Sequence, residues 1–169
     1  TLNGWKRYNR DSIGPLWVVQ EGMLVCNGEG LGEGSGAHGG SLMTTRQFGN
    51  FELTVDWKIT PGGNSGILYH VVESPDYAHD YETGPECQVV DDNGWQGELQ
   101  AAQKAGSNYD MFEAAATKKL IPVGEWNTAK IIYNNGHVEH WLNGEKVVEF
   151  EEGSEEYEKR YQKSKWVDY

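Results

Sequence analysis

Two Asn-Gly dipeptides, Asn135-Gly136 and Asn143-Gly144, constrain this chain more than any other feature. Each lies between runs that alternate apolar and polar residues. A two-residue type I′ turn needs positive φ at both central positions, and Asn followed by Gly meets that need at least steric cost. The spacing predicts a meander of Trp126–Tyr133, His137–Leu142 and Lys146–Glu151. Phe51 to Ile59 repeats the period, with Phe51, Leu53, Val55, Trp57 and Ile59 on one face and Glu52, Thr54, Asp56 and Lys58 on the other. Further strands are expected at Trp17–Gln20 and Met23–Asn27 around Glu21-Gly22, at Ile67–Val72 after the Pro61–Gly66 turn, and at Glu86–Asp91. Helix is scarce. A short one is expected over Glu98–Ala105, ended by Gly106, and another capped by Ser154 and running to about Gln162. Antiparallel turns with so little helix imply an all-β sandwich, expected as one domain over residues 1–169.

Composition narrows the function classes. The 14 Lys and Arg against 26 Asp and Glu leave a net charge of −12, which disfavours nucleic acid and anionic membrane as partners. Mean hydropathy is −0.69, and no apolar run approaches the roughly 20 residues that a membrane helix needs. The aromatic residues are weighted to 7 Trp and 9 Tyr over 4 Phe, which suits apolar surfaces that also form hydrogen bonds. Gly28, Gly30, Gly32, Gly34, Gly36, Gly39 and Gly40 crowd one stretch without helical or strand period, and a long functional loop is expected there. Cys26 and Cys87 each sit in apolar surroundings and read as buried free thiols; a disulfide stays open as the alternative. No signal peptide is visible, and Thr1-Leu2-Asn3-Gly4-Trp5 reads as a processed start.

Alternation sorts the candidate site residues by face. With Cys87 and Val89 toward the core, Glu86 and Gln88 share the open side. If Ile67–Val72 is the neighbouring strand, His70 stands beside them. In the meander, His140 shares the face of Val138 and Leu142, and Glu139 shares the opposite face with Trp141. A carboxylate, an amide, imidazoles and indoles suit a polyhydroxylated ligand. Sharper motifs fail. Glu86 and Asp91 are at odd spacing, so they do not form the carboxyl pair of a retaining glycosidase, about 5–5.5 Å apart on one face. Aligning Gly94 with a calcium-loop glycine puts Val89 first and Gln100 last, both poor ligands. No Gly-x-Ser-x-Gly elbow is present.

The run from Phe51 to Ile59, followed by Pro61-Gly62-Gly63-Asn64-Ser65-Gly66-Ile67, resembles the 3-keto-disaccharide hydrolase domain family. Gly84-Pro85-Glu86-Cys87-Gln88-Val89-Val90-Asp91, Gly124-Glu125-Trp126-Asn127 and Val138-Glu139-His140-Trp141-Leu142-Asn143-Gly144 extend the resemblance from Gly4 to about Trp166. It implies a concanavalin-like jelly-roll sandwich, in proteins that are periplasmic or secreted. It also implies hydrolysis of glycosides that carry a ketone at C3. Such a ketone acidifies the C2 hydrogen, so one base, an enolate stabiliser and an acid for the leaving group suffice.

The resemblance assigns Glu86 as base or metal ligand and Gln88 as a contact to a sugar hydroxyl or the enolate. Asn64 takes the place of the glycine-turn residue, and His70 and His140 are the candidates for polarising the ketone and for acid–base work. Trp141 and Trp95 are the candidate sugar platforms. No cofactor is required; a divalent metal such as calcium, held by Asp91, is the one candidate. Family members usually continue past Ser164-Lys165-Trp166 into closing strands, so this chain is expected to lack them. The competing readings are a non-catalytic carbohydrate-binding module and a structural or assembly domain that uses the acidic end as a contact surface. The oligomeric state is not legible from the residues.

Overall fold

In the computed structural model residues 1–27 and 40–168 are described. The expected glycine-rich loop therefore lies, Gly40 apart, outside the described residues. Those residues form ten strands, one α-helix and three short 3-10 turns, so the all-β expectation holds. No helix among them is long and apolar enough to cross a membrane.

Two compact units are present. One comprises Thr1–Gln47 with Val72–Asp80, and the other comprises Phe48–Val71 with Tyr81 onward. In the first, β1 (Trp5–Arg7) pairs antiparallel with β4 (Leu42–Thr44), and β2 (Trp17–Gln20) with β3 (Met23–Cys26). The turn between β2 and β3 has φ of 52° at Glu21 and 80° at Gly22, as a two-residue hairpin requires. The Tyr8 hydroxyl donates to the carbonyls of Val72 and Tyr77, and the Asn9 amide to those of Ser74 and Tyr77.

The second unit holds the meander. β8 (Asn127–Asn134), β9 (His137–Leu142) and β10 (Glu145–Glu151) follow one another, and β5 (Phe51–Trp57) closes the sheet beside β8 in the order β10-β9-β8-β5. Both Asn-Gly turns adopt positive φ, 51° and 92° at Asn135-Gly136 and 49° and 83° at Asn143-Gly144. β6 (Asn64–Leu68) and β7 (Glu86–Val90) form an antiparallel ribbon. Ile131, Val138, Leu142, Val148 and Phe150 of the sheet share one buried cluster with Cys87 and Val89 of the ribbon. Burying each large aliphatic side chain contributes roughly 1.5–3 kcal/mol, so this shared face is what holds sheet and ribbon together.

α1 (Glu155–Tyr161) begins where expected. The Ser154 hydroxyl oxygen accepts the Tyr157 N–H at 3.1 Å, a cap worth about 1 kcal/mol. The helix expected over Glu98–Ala105 shrinks to a single 3-10 turn, Ala101–Gln103. Both cysteines are free thiols. Cys87 is buried as expected, but Cys26 is exposed, which corrects its reading as a core residue.

Candidate active site

A third run of chain flanks β7. The Tyr109 N–H donates to the Glu86 carbonyl at 3.0 Å, the Gln88 N–H to Ser107 at 3.0 Å, and the Gly106 N–H to Gln88 at 2.8 Å. An antiparallel bridge pairs Cys87 with Asn108. Residues directly opposed in antiparallel strands carry their side chains on the same face. Ile67, Cys87, Val89 and Asn108 thus share the core side. Asn64, Gly66 and Leu68 share the other side with Glu86, Gln88 and Tyr109.

On that second side, Gly66 decides where Glu86 lies. A Cβ built on Gly66 would stand 1.8 Å from Glu86 Oε1 and 2.6 Å from its Cδ. The carboxylate therefore occupies the volume that any side chain at position 66 would fill. Asn64 is exposed two residues along the same strand, on the same face. Beneath them, burial and then the Glu86 charge push the Cys87 thiol up to about 12, so this cysteine is no nucleophile. A half-buried carboxylate seated over glycine, with an amide along the strand and a tyrosine ring beside it, can bind hydroxyls and take up a proton.

Gln88 points to the Glu86 side but is only 2% exposed. Its Oε1 accepts the Val89 N–H and its Nε2 donates to the Gln103 carbonyl, so the Ala101–Gln103 turn covers it. The expectation of an open Gln88 is corrected on that ground. His70 lies beyond the end of β6, in left-handed backbone at φ 53°, so the alternation that put it beside Glu86 does not reach it. Its ring packs 3.9 Å from that of Tyr133 and bonds to the Gly49 carbonyl.

His140 does face the side of Val138 and Leu142, and for that reason it is fully buried. Its Nδ1 meets the Gly106 carbonyl at 3.2 Å and its Nε2 the Tyr69 hydroxyl at 3.0 Å. The Gly106 carbonyl can only accept, so Nδ1 carries the proton, and in the neutral ring Nε2 accepts from the Tyr69 hydroxyl. Burial lowers its pKa to about 4. The structure thus places His140 in the buried core.

Trp141 lies on the opposite face of the meander, where its indole N–H donates to Glu139 and Lys130 stands 4.4 Å over its ring. That face is turned away from the ribbon. Trp95 is half-buried in the turn after β7, its N–H donating to the Asp91 carbonyl.

Asp91 ties two glycine turns together. Its Oδ2 accepts the Gly62 N–H at 2.9 Å, and its Oδ1 accepts those of Gly94 at 2.9 Å and Asn93 at 3.2 Å. Three N–H groups thus converge on the Asp91 carboxylate. The Gly62 and Gly94 N–H groups, in that order, hold its carboxyl below the ordinary 3.8. Its contribution to stability is therefore full above the ordinary carboxyl range and is lost as pH falls through the lowered value. Asp91→Asn is expected to lose that contribution at neutral pH already. Urea unfolding at pH 7 and pH 3 checks this, because the gap between the two chains must narrow in acid. Beside Asp91 lies a cavity of about 410 Å³, lined mainly by Trp57, Ile59, Val90, Leu120 and Ile121, away from Glu86.

Sequence reasoning missed Gly66 as the seat of Glu86 and Tyr109 as its neighbour. Gly66 stood in a motif read as a turn, and Tyr109 joins β7 only through a bridge outside the named strands.

Residues 1–165 match the family described as the 3-keto-alpha-glucoside-1,2-lyase-like domain. A 3-keto-disaccharide hydrolase of Bacteroides thetaiotaomicron is 36% identical over 98% of the chain; the chain spans 61% of that protein's length. Two solved structures from Parabacteroides distasonis, both provisionally described as glycosyl hydrolases, are similar. One has a TM-score of 0.85 at 40% identity, covering 98% of this chain and 74% of its own. The other has a TM-score of 0.67 at 27% identity, covering 88% and 73%.

Proposed function

The chain belongs to the 3-keto-alpha-glucoside-1,2-lyase-like domain family, and on that premise we propose that it cleaves the glycosidic bond of 3-keto-disaccharides with Glu86 as the base. The observation that carries the reading is the half-buried Glu86 carboxylate, laid into the space over Gly66 on the face of the ribbon that Asn64 shares. Glu86 takes the C2 hydrogen as a proton, and its electron pair forms the enolate with the C3 ketone. The enolate expels the C1 oxygen, which leaves as an alcohol after protonation, and an enone forms. Water then adds its oxygen to C1 and a proton to C2, which completes a net hydrolysis. Asn64 is proposed to hold a sugar hydroxyl on the same face. No covalent enzyme intermediate arises on this route.

Product analysis on a 3-keto-disaccharide and its unoxidised parent tests this. Wild type is expected to cleave only the keto sugar. Glu86→Gln, nearly isosteric but unable to accept the proton, is expected to lose about 10²–10⁴-fold in rate. Cleavage of both sugars alike would contradict elimination. Binding without cleavage of either would favour the carbohydrate-binding module.

A further inference from the structure

Lys165 lies among three aromatic rings. Its ammonium is 4.2 Å from the ring centre of Tyr109, 4.5 Å from Trp166 and 5.2 Å from Tyr81. The cluster is anchored from several sides. The Lys165 N–H donates to Asp110 Oδ2 at 2.8 Å, the Trp166 indole to the Tyr109 carbonyl at 3.3 Å, and the Tyr161 hydroxyl to the Trp166 carbonyl at 3.1 Å. Among the described residues the ammonium has no carboxylate and no hydrogen-bond acceptor; the π-faces alone hold it. Lys58 over Trp126 and Lys130 over Trp141 each meet a single ring, whereas Lys165 meets three.

The register sets where this charge stands. Tyr109 is directly opposite Glu86, so the two side chains share a face, with Cβ atoms about 5 Å apart. The Glu86 carboxylate leans the other way, over Gly66. The Glu86 carboxylate thus lies toward Gly66, and the Lys165 ammonium lies 4.2 Å from the ring centre of the tyrosine opposite Glu86. In the proposed elimination, C2 loses its hydrogen to Glu86 while negative charge gathers on the C3 oxygen, one carbon away.

We propose that Lys165, held by Tyr81, Tyr109 and Trp166, is a catalytic residue that donates a hydrogen bond to the C3 oxygen of the substrate as the enolate forms. The inference rests on the reading of Glu86 as base. It assigns the enolate stabiliser to a group that neither histidine supplies, since His140 is buried and His70 is turned toward Tyr133 and Gly49. A cation gripped by rings rather than by a carboxylate keeps its charge available to a developing oxyanion, and a preplaced donor of this kind costs no reorganisation during the step.

Steady-state kinetics of the whole chain on a 3-keto-disaccharide tests the inference with Lys165→Met, Lys165→Gln and Lys165→Arg. Met keeps the aliphatic stem against the rings, and Gln serves if Met fails to fold, with thermal unfolding as the check. Met and Gln are expected to lower kcat about 10²–10³-fold with a much smaller change in KM. Arg is expected to recover part of the loss. A kcat within about threefold of wild type, or a loss confined to KM, would overturn the role while leaving Glu86 as base. Wild type inert on the keto sugar would overturn both.

Discussion

A Gly66→Ala chain is expected to fold normally and to lose most of its turnover. One methyl group is added, and its place is already taken: the new Cβ would lie 1.8 Å from Glu86 Oε1 and 2.7 Å from its Cγ. The backbone does not object, because Gly66 is outside the positive-φ glycines and lies within β6. Alanine there also orders the unfolded chain by roughly 0.5–1 kcal/mol in its favour. What yields is the flexible carboxylate, which swings off its seat. A displacement of about 1 Å in a reacting group costs on the order of 100-fold, so a loss of that size or larger is expected on a keto-disaccharide. Urea unfolding within about 1 kcal/mol of wild type must accompany it. Retained turnover would mean that the seat over Gly66 is not where Glu86 works.

The second large effect is on stability. His140 is kept neutral, its pKa lowered from 6.5 to about 4 by burial, while the unfolded chain takes up a proton near 6.5. The unfolded state binds the extra proton between these values. Stability from this residue is therefore complete above about 6.5 and falls progressively toward pH 4, by on the order of 3 kcal/mol. His140→Phe removes the titration but strands the Tyr69 hydroxyl and the Gly106 carbonyl, each worth roughly 1–3 kcal/mol when left unpaired. The variant is thus expected to be weaker at pH 7.5 yet flatter between pH 7 and pH 5. Urea titrations at both pH values measure it. An equally steep acid loss in the variant would place the titrating group elsewhere.

What the residues revealed in advance was local. Asn135-Gly136 and Asn143-Gly144 dictated the meander because their backbone preference is intrinsic, and the capping of α1 by Ser154 is equally short-range. The side of the sheet that His140 faces was also legible, since alternation in a regular strand is rigid. Its consequence was not: an inward imidazole was read as chemistry, although a hydroxyl and a carbonyl were waiting to satisfy it. His70 failed because alternation stops where a residue enters left-handed backbone, which nothing in Leu68-Tyr69-His70 announces. Gln88 failed because the Ala101–Gln103 turn that covers it comes from elsewhere in the chain. The contacts around Lys165 are longer in range still, joining positions 81, 109 and 166. Glu86 emerged from both views because a strand motif fixes its face and a glycine on the adjacent strand fixes its seat.

The central claim is that Glu86 removes the C2 hydrogen. Cleavage of a 3-keto-disaccharide in deuterium oxide, followed by mass and magnetic-resonance analysis of the keto sugar released, tests it most directly. Wild type is expected to place deuterium at C2 in every turnover, well ahead of an enzyme-free control, and Glu86→Gln to slow cleavage and labelling in parallel. Release of a keto sugar with its original hydrogen at C2 would contradict the account, because the C1 bond would then have broken without elimination.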